Sequence, residues 1–231
     1  MTPALLAEVM EATWPPASRR RLGPFTLRDG AGGGKRVSAA SLDGPFTEAD
    51  LDALEAAMAE PLMLVRAGDD ALDAALDARG WRIVDPVVAY AAPVARLVAD
   101  LPRLTAFPHW PPLEVARSIW AEGGIGPARI AVMERVTGPK AALLGRIDDR
   151  SAGVAFVACY GAEAMVHALE VRSSHRRQGL GIKLLHAAAN WADAQGATRL
   201  SLVVTRQNAA ARALYARLGM EVVGEYHYRM K

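Results

Sequence analysis

The sequence predicts an α/β (α+β) protein in which a mixed sheet flanked by helices is preceded by a smaller α/β domain. Three observations predict this class. Helical and extended apolar patterns alternate along most of the chain. A hydrophobic content of 52% in 231 residues is enough for a substantial core. Prolines cluster between residues 92 and 112 and indicate a boundary, so the expected domains are residues 1–98 and 99–231.

Charge and cysteine content limit the classes of function. The 27 basic and 25 acidic side chains nearly balance and form no long basic run, which argues against a nucleic-acid partner. The one cysteine, Cys159, lies in an apolar run, so a buried thiol is expected in place of a nucleophile. No stretch has transmembrane length, and Glu8 and Glu11 stand where a secretion signal would be apolar or basic. We expect a cytoplasmic protein without a metal or membrane contact, and the oligomeric state stays open.

The elements of the first half follow from apolar spacing and from helix signals. Thr47 and Gly80 are the clearest start and stop signals, as a helix N-cap and a helix end. The expected order is a helix over 3–13, strands over 25–28 and 37–42, a helix from 47 to 59, a strand over 62–65, a helix over 69–79, and an extended segment over 81–91 interrupted at Pro86.

Between the first two of those strands lies a glycine-rich segment, residues 29–36. It resembles a phosphate-binding loop only superficially. That pattern needs a glycine where Asp29 stands and a Ser or Thr where Arg36 stands. We therefore interpret the segment as a flexible hairpin loop, and a nucleotide-binding function is the weakest hypothesis for this chain.

The second half shows a similar alternation of patterns. After a strand over 165–171, a polar cationic turn with two glycines precedes a helix that begins near Leu180 and stops at Gly196. The expected order is a helix over 112–122, strands over 128–132, 141–147, 154–160 and 165–171, the helix from 180, a strand over 200–205, a helix over 208–218, and strands over 222–230 around Gly224.

The cationic turn suits an anionic ligand. The first turn of a helix has backbone N–H groups without internal partners, and the helix dipole adds partial positive charge there. Gly179 and Gly181 allow a phosphate to approach the backbone closely. Taken alone, the turn is equally consistent with a phosphate site and with a glycine-containing turn whose arginines are solvated.

The residues around the turn resemble two motifs of the GNAT superfamily of N-acetyltransferases. The coenzyme A signature of this superfamily follows a strand that ends in Val. It consists of Arg or Gln, any two residues, Gly, any one residue, and then Gly or Ala. Val171, Arg176, Gly179 and Gly181 match it. The second motif, a helix begun by Asn and ended by Leu-Tyr before a glycine, is matched by Asn208, Ala211, Leu214, Tyr215 and Gly219. The resemblance covers about residues 105–231.

The resemblance implies acetyl-CoA as co-substrate and assigns residues to it. In this family the strand before the glycine turn splays from the next strand, and pantetheine lies in the gap. The pantetheine amides and the acetyl carbonyl are then expected on the backbone of Leu169, Glu170 and Val171. The pyrophosphate is expected on the N–H groups of Arg176, Arg177, Gln178, Gly179, Leu180 and Gly181, and Asn208 caps its helix and contacts the coenzyme.

The proton-transfer residues are assigned in the same way. Tyr215 is the candidate acid for the leaving thiolate, and the alternative is a core tyrosine at helical spacing. The glutamates that many members use as base are replaced by Met165 and Val203. His167 stands where arylalkylamine N-acetyltransferases have a histidine that helps remove the amine proton, and a satisfied strand histidine is equally consistent. Glu170 is a weaker candidate, because strand alternation places it on the other sheet face.

The leading hypothesis is an N-acetyltransferase in which an amine attacks acetyl-CoA directly in a ternary complex. The alternative is a non-catalytic acyl-CoA-binding or regulatory module, since the usual glutamate base is missing. The acceptor is a small-molecule or peptide amine that the sequence does not identify. In the first half, Leu76 to Trp81 faintly echoes Leu214 to Met220, so that half is either a degenerate GNAT-like copy kept for structure or substrate binding, or an unrelated α/β cap.

Overall fold

Eleven strands form one continuous mixed sheet in the computed structural model, which describes residues 1–231, and helices cover both faces of the sheet. The helices are α1 (Pro3–Thr13), α2 (Lys35–Ser38), α3 (Glu48–Ala57), α4 (Asp70–Ala78), α5 (Val94–Leu97), α6 (Glu114–Glu122), α7 (Pro127–Arg135), α8 (Leu180–Ala194) and α9 (Ala209–Arg217). The strands are β1 (Ser18–Leu22), β2 (Phe25–Asp29), β3 (Ala40–Leu42), β4 (Leu62–Arg66), β5 (Arg82–Pro93), β6 (Ala106–His109), β7 (Lys140–Ile147), β8 (Arg150–Tyr160), β9 (Glu163–Val171), β10 (Arg199–Thr205) and β11 (Glu221–Met230). None of the helices has the length and apolar content that crossing a membrane requires.

The strand order shows an internal repeat with exchanged strands. The order is β1-β2-β3-β4-β11-β5-β10-β9-β8-β7-β6. Strands β3 and β4 pair in parallel, as do β9 and β10, and the remaining neighbours pair antiparallel. Strand β5, the last of the first half, lies beside β10, while β11, the last of the second half, lies beside β4. Each half therefore supplies a strand to the sheet of the other.

The two halves also end their corresponding helices in the same way. After α4, the Trp81 N–H donates to the Leu76 carbonyl at 3.0 Å; after α9, the Met220 N–H donates to the Tyr215 carbonyl at 3.1 Å. A glycine with positive φ precedes the donor in both cases, and the donor residue is buried. This is the Schellman pattern of a helix end. Helices α6 and α8 end with the same bond, from Ile125 N–H to the Trp120 carbonyl and from Ala197 N–H to the Ala192 carbonyl, so this pattern is a general helix end.

The expected boundary at residues 98/99 lies in the loop between α5 and β6, after the exchanged strand β5. Because β5 pairs with both β10 and β11, the sheet is continuous across this point. The division into residues 1–98 and 99–231 stays a prediction about which parts can fold alone.

Alternation along the strands assigns side chains to two faces. In β5, Val88 and Tyr90 join the core under α8 and α9, whereas Val87 and Ala89 join the core under α1. Helices α3 and α4 cover the first-half part of the same face as α8 and α9. Helices α6 and α7 lie with α1 on the opposite face, next to Trp14. The sheet thus separates a face with the glycine turn from a face that the first half helps to cover.

Several expected elements are wrong in detail. Residues 128–132 are helical, within α7, because Pro127 starts the helix and Ile130 and Met133 bury one helical face. Residues 35–38 form α2, so the strand expected over 37–42 is reduced to β3. The basic strand β1 was not predicted, since its residues are almost all exposed.

Two further predictions that rested on proline positions are wrong in detail. Strand β5 continues through Pro86, since Asp85 has φ 45° and a register shift opposite Tyr226 and Tyr228 absorbs the irregularity. Pro108 lies in β6, an edge strand, where one side needs no donor. The proline-rich stretch over 92–112 is therefore partly regular structure.

Candidate functional site

The two central parallel strands pair over a short length and then separate. Strand β9 pairs with β10 only over residues 163–166 and 199–202. Beyond that point the backbone groups that face the gap have no strand partner, so they are free for a ligand. The expected coenzyme residues Leu169, Glu170 and Val171 lie along this open part of β9. We call this gap the β9–β10 split.

A β-bulge changes the direction of β9 at the point where the split opens. Against β8, three residues of β9 span the distance of two, and Ala168 has φ 50°. The Trp120 indole N–H donates to the Ala168 carbonyl at 2.7 Å, which holds the bulge on α6. Bulges of this kind redirect backbone and side chains beside sites.

The turn after β9 presents a row of free donors. The backbone N–H groups of residues 177–181 make no hydrogen bond within the protein. Arg177 (φ 62°) and Gly179 (φ 81°, the α8 N-cap) curve the backbone, and a Cβ at Gly179 would meet no atom within 4 Å. Such a concave row of N–H groups at a helix start binds phosphate.

The side chains of the turn hold its shape and leave its charge exposed. Arg176 donates to the Val171 carbonyl at 3.0 Å and lies 3.8 Å from the Glu170 carboxylate, with 61% of its side chain exposed. Gln178 donates to the Ser174 carbonyl at 3.4 Å. These residues combine donors, positive charge and open space, and they fit a coenzyme pyrophosphate.

The second motif lies on the face covered by α8. Asn208 caps α9 by accepting the Ala211 N–H at 3.1 Å. Tyr215 is buried, with its ring 5.5 Å from that of Tyr90. Burial first, and Tyr90 second, raise the pKa of Tyr215 to about 12. The phenol therefore stays protonated over the physiological range and is able to donate a proton.

His167 is enclosed on the opposite face. Its Nδ1 lies 2.9 Å from an Arg36 guanidinium nitrogen, and its Nε2 lies 2.9 Å from the Thr13 hydroxyl. A guanidinium only donates, so Nδ1 accepts and Nε2 carries the proton. The Thr13 hydroxyl then donates to the Val9 carbonyl at 2.6 Å. Burial, followed by the charge of Arg36, holds the pKa of His167 well below its usual value. His167 is thus neutral, and its lone pair is occupied.

Glu170 shares the sheet face of His167, contrary to the expected alternation. A Cβ on Gly123, at the end of α6, would lie 2.6 Å from the Glu170 side chain, while Leu169 and Val171 pack toward α8. The bulge at Ala168 shifts the alternation by one residue, which is the physical reason for the error. Burial raises the pKa of Glu170, and Arg176 and Arg129 oppose that rise.

A cavity opens on this face at the end of the β9–β10 split. It has a volume of about 280 Å³, and we call it the split cavity. His167 and Ala168 line it from β9, residues 203–205 from β10, and α7 contributes Arg129. A smaller, mainly apolar recess of about 70 Å³ adjoins it beneath α1.

The first half supplies much of the split cavity, which sequence reasoning missed. Trp14 and Arg36 line both the cavity and the adjoining recess, and so does Tyr226 of β11, the second-half strand that pairs with β4. Lys35 and Asp85 line the cavity as well. The only signal in the sequence was the glycine-rich segment, whose end carries Lys35 and Arg36.

Cys159 lies apart from this arrangement. It is buried, and burial raises the pKa of its thiol to about 11, so it remains a thiol and not a thiolate. No three His, Cys, Asp or Glu side chains come together as a metal site.

The sequence of this chain is similar to that of known proteins. The model of the acetyltransferase (GNAT) family matches residues 105–220. The chain is 38% identical over 61 residues to the uncharacterized N-acetyltransferase YobR of Bacillus subtilis, and 37% identical over 60 residues to N-acetyltransferase family 8 member 3 of Rattus norvegicus. These alignments cover 26% of this chain, and 25% and 26% of the two relatives, about a quarter of the length of each.

Solved structures are similar over almost the whole chain. A GCN5-related N-acetyltransferase from Kribbella flavida has a TM-score of 0.71 at 21% identity, covering 99% of this chain and 95% of that one. A tandem GNAT protein from the clavulanic acid biosynthesis pathway has a TM-score of 0.62 at 17% identity, covering 98% and 87%. At these identities the similarity shows the fold alone.

Proposed function

Because the chain belongs to the acetyltransferase (GNAT) family, we propose that it transfers the acetyl group of acetyl-CoA to a primary amine by direct attack in a ternary complex. One observation carries the proposal. Five successive backbone N–H groups, at residues 177–181, are free at the start of α8, immediately beyond the β9–β10 split. A ligand with a pyrophosphate and an extended amide-containing arm needs both features side by side.

The residues on the glycine-turn side hold the co-substrate in this proposal. Residues 176–181 bind the pyrophosphate, and the backbone of Leu169, Glu170 and Val171 binds the pantetheine amides and polarises the acetyl carbonyl. Asn208 contacts the coenzyme from the start of α9. Acetyl-CoA supplies an activated thioester carbonyl, and the protein supplies orientation and hydrogen-bond donors.

Tyr215 donates the proton that the leaving sulfur requires. Its position in the second motif and its pKa of about 12 support this role, since the phenol is fully protonated when needed. The acid therefore acts from the face covered by α8 and α9, whereas the amine enters from the split cavity on the other face.

The amine must lose a proton before it attacks, because an alkylammonium has no free lone pair. His167 as the base stays a prediction from the resemblance, and its geometry favours another role. Its lone pair accepts from Arg36, so a proton cannot be taken up unless Arg36 moves. We propose that His167 positions Arg36 and that the amine releases its proton to solvent in the cavity.

Thioester turnover tests the proposal. Purified protein with acetyl-CoA and a panel of amines should release free thiol only when an accepted amine is present, and calorimetry should give one acetyl-CoA per chain. Gly179→Glu places a carboxylate in the row of free donors and should abolish both binding and turnover. Binding without turnover on any amine supports the alternative, a non-catalytic acyl-CoA-binding or regulatory module.

A further inference from the structure

We propose that the amine acceptor also carries a carboxylate, and that this carboxylate binds Arg36 and Arg129 in the split cavity. The acceptor is therefore an amino-acid-like molecule. The inference rests on the proposed function, because it names the class of acceptor for the same site.

The charges that line the cavity do not balance. Lys35 and Asp85 pair with each other at 2.6 Å. Arg36 and Arg129 also line the cavity, and neither has a carboxylate within 4.0 Å. The adjoining recess brings Glu11 and Glu225, but these form ion pairs with other arginines. Glu170, which does not line the cavity, lies 3.8 Å from Arg176 and also feels the charge of Arg129 without pairing with it directly. Arg36 and Arg129 are therefore the cavity cations without a directly paired carboxylate.

Of the two arginines, Arg36 has the greater unmet need for an anionic partner. Its Nε–H is buried and has no hydrogen-bond partner. One terminal nitrogen donates to neutral His167, which accepts the bond without balancing the charge. The guanidinium carbon lies 5.9 Å from the centre of the Trp14 ring. Arg36 as a residue is half-buried, but a buried N–H donor without a partner on a cation is costly, and a carboxylate matches the two-pronged face of a guanidinium.

The glycine-rich segment brings the two arginines to the same place. A Cβ on Gly33 would lie 2.5 Å from the Val132 side chain, so only a glycine lets the segment pack this closely on α7. A Cβ on Gly34 would lie 3.5 Å from an Arg129 guanidinium nitrogen. Arg36 follows two residues later. The glycine-rich segment, residues 29–36, does not match the phosphate-loop pattern, but it forms one wall of this second, separate anion site.

The anion belongs to the acceptor and not to the coenzyme. The split cavity is lined by Ala168 and residues 203–205, at the opening of the split, and by none of the turn residues 176–181. The turn has its own free donors and its own arginines for the pyrophosphate. The arginines of the cavity therefore lie at the acetyl end, where the amine must be held.

Matched acceptors test the inference. Each amino acid in a panel is compared with its carboxamide and with the amine that lacks the group altogether, at equal concentration of unprotonated amine. Because charge-assisted bonds are about twice as strong as neutral ones, we expect kcat/KM for the acid to exceed that of either analogue by roughly 10- to 100-fold. Equal or better turnover of the analogues overturns the inference and leaves the proposed function intact.

Variants locate the carboxylate. Arg129→Met, at the exposed rim, should reduce the preference for the acid about tenfold and leave the KM for acetyl-CoA unchanged. Arg36→Lys should reduce it further, because a lysine cannot reproduce the two-pronged contact. Arg20→Met, on the far edge strand β1, is the control and should change neither. Weaker acetyl-CoA binding in Arg129→Met with the preference intact would assign the arginine to the coenzyme and overturn the inference.

A binding measurement separates this inference from the proposed function. Calorimetry with an N-acetylated amino acid and coenzyme A needs no turnover. Binding to the wild type that is lost in Arg129→Met supports the anion site even when no amine is acetylated. If the N-acetylated amine without a carboxylate binds as well as the acid, the anion site is refuted.

Discussion

His167 shows how the neighbours of one residue determine its protonation. Its position in β9 suggests a free base, but Arg36 occupies Nδ1 and Thr13 receives Nε2–H. Trp14 and Phe156 enclose the ring at 5.0 and 6.1 Å. Protonation would place a second positive charge beside Arg36 on a buried ring, so the neutral form is favoured.

This burial predicts a pH dependence of stability. The pKa of His167 is lowered in the folded state, so below about pH 6.5 the unfolded chain binds the proton that the folded chain excludes. Stability is therefore lost as pH falls, by up to about 1.4 kcal/mol per pH unit from this group. His167→Gln, which cannot titrate, should show a smaller loss. Urea unfolding at pH 7.5, 6.5 and 5.5 measures it, and parallel curves for variant and wild type would refute the assignment.

Tyr215→Phe removes only the hydroxyl that we assign as the acid. Turnover should fall roughly 10²- to 10⁴-fold with nearly unchanged affinity for acetyl-CoA. Tyr90→Phe is the matched control, because its ring packs on Tyr215 and its hydroxyl accepts from Arg212 at 3.3 Å. It should retain most activity. Wild-type turnover in Tyr215→Phe, with the chemical step limiting, would remove the acid from the mechanism.

At the scale of an element, the two glycines at the start of α8 have different structural roles. Gly179 needs a positive φ, whereas Gly181 lies in the first helical turn with space for a methyl group, 3.4 Å from Leu214. Gly181→Ala should raise the free energy of unfolding by about 0.4–1 kcal/mol and keep acetyl-CoA binding. Gly179→Ala introduces backbone strain without charge, and Gly179→Glu adds both. Loss of binding only in the glutamate variant, by calorimetry, identifies the anion site, and equal loss in both assigns the effect to strain.

At the scale of the whole molecule, the exchange of β5 and β11 joins the halves. Residues 99–231 alone would lack β5, which leaves β10 and β11 with unpaired edges, and residues 1–98 alone would lack β11. We expect each fragment by itself to aggregate or to remain unfolded, because exposed strand edges are aggregation sites. Co-expressed fragments should assemble, since the break at 98/99 lies in a loop. Circular dichroism and thermal unfolding measure this. Cooperative unfolding and acetyl-CoA binding by residues 99–231 alone would instead support the predicted domain division.

The sequence by itself determined most of the helices and the glycine turn that precedes α8. Helix caps, stop signals and apolar spacing are local properties, so α1, α3, α4, α8 and α9 lie close to where they were predicted. The row of free donors at residues 177–181 is local as well, because a strand, a glycine turn and a helix start are contiguous in the chain. The short apolar run over 128–132 was ambiguous between strand and helix, and packing against Trp14 and Trp120 decided it.

Only the tertiary structure decided how the split cavity is assembled. Arg36 and His167 are 131 positions apart, and no local pattern indicates that one donates to the other. The exchange of β5 and β11 brings Asp85 and Tyr226 to the split cavity, although neither has a motif. The bulge at Ala168 also reversed the face of Glu170. Contacts between distant segments depend on how the two halves pack, and that packing is encoded by the whole sheet and not by any one stretch of residues.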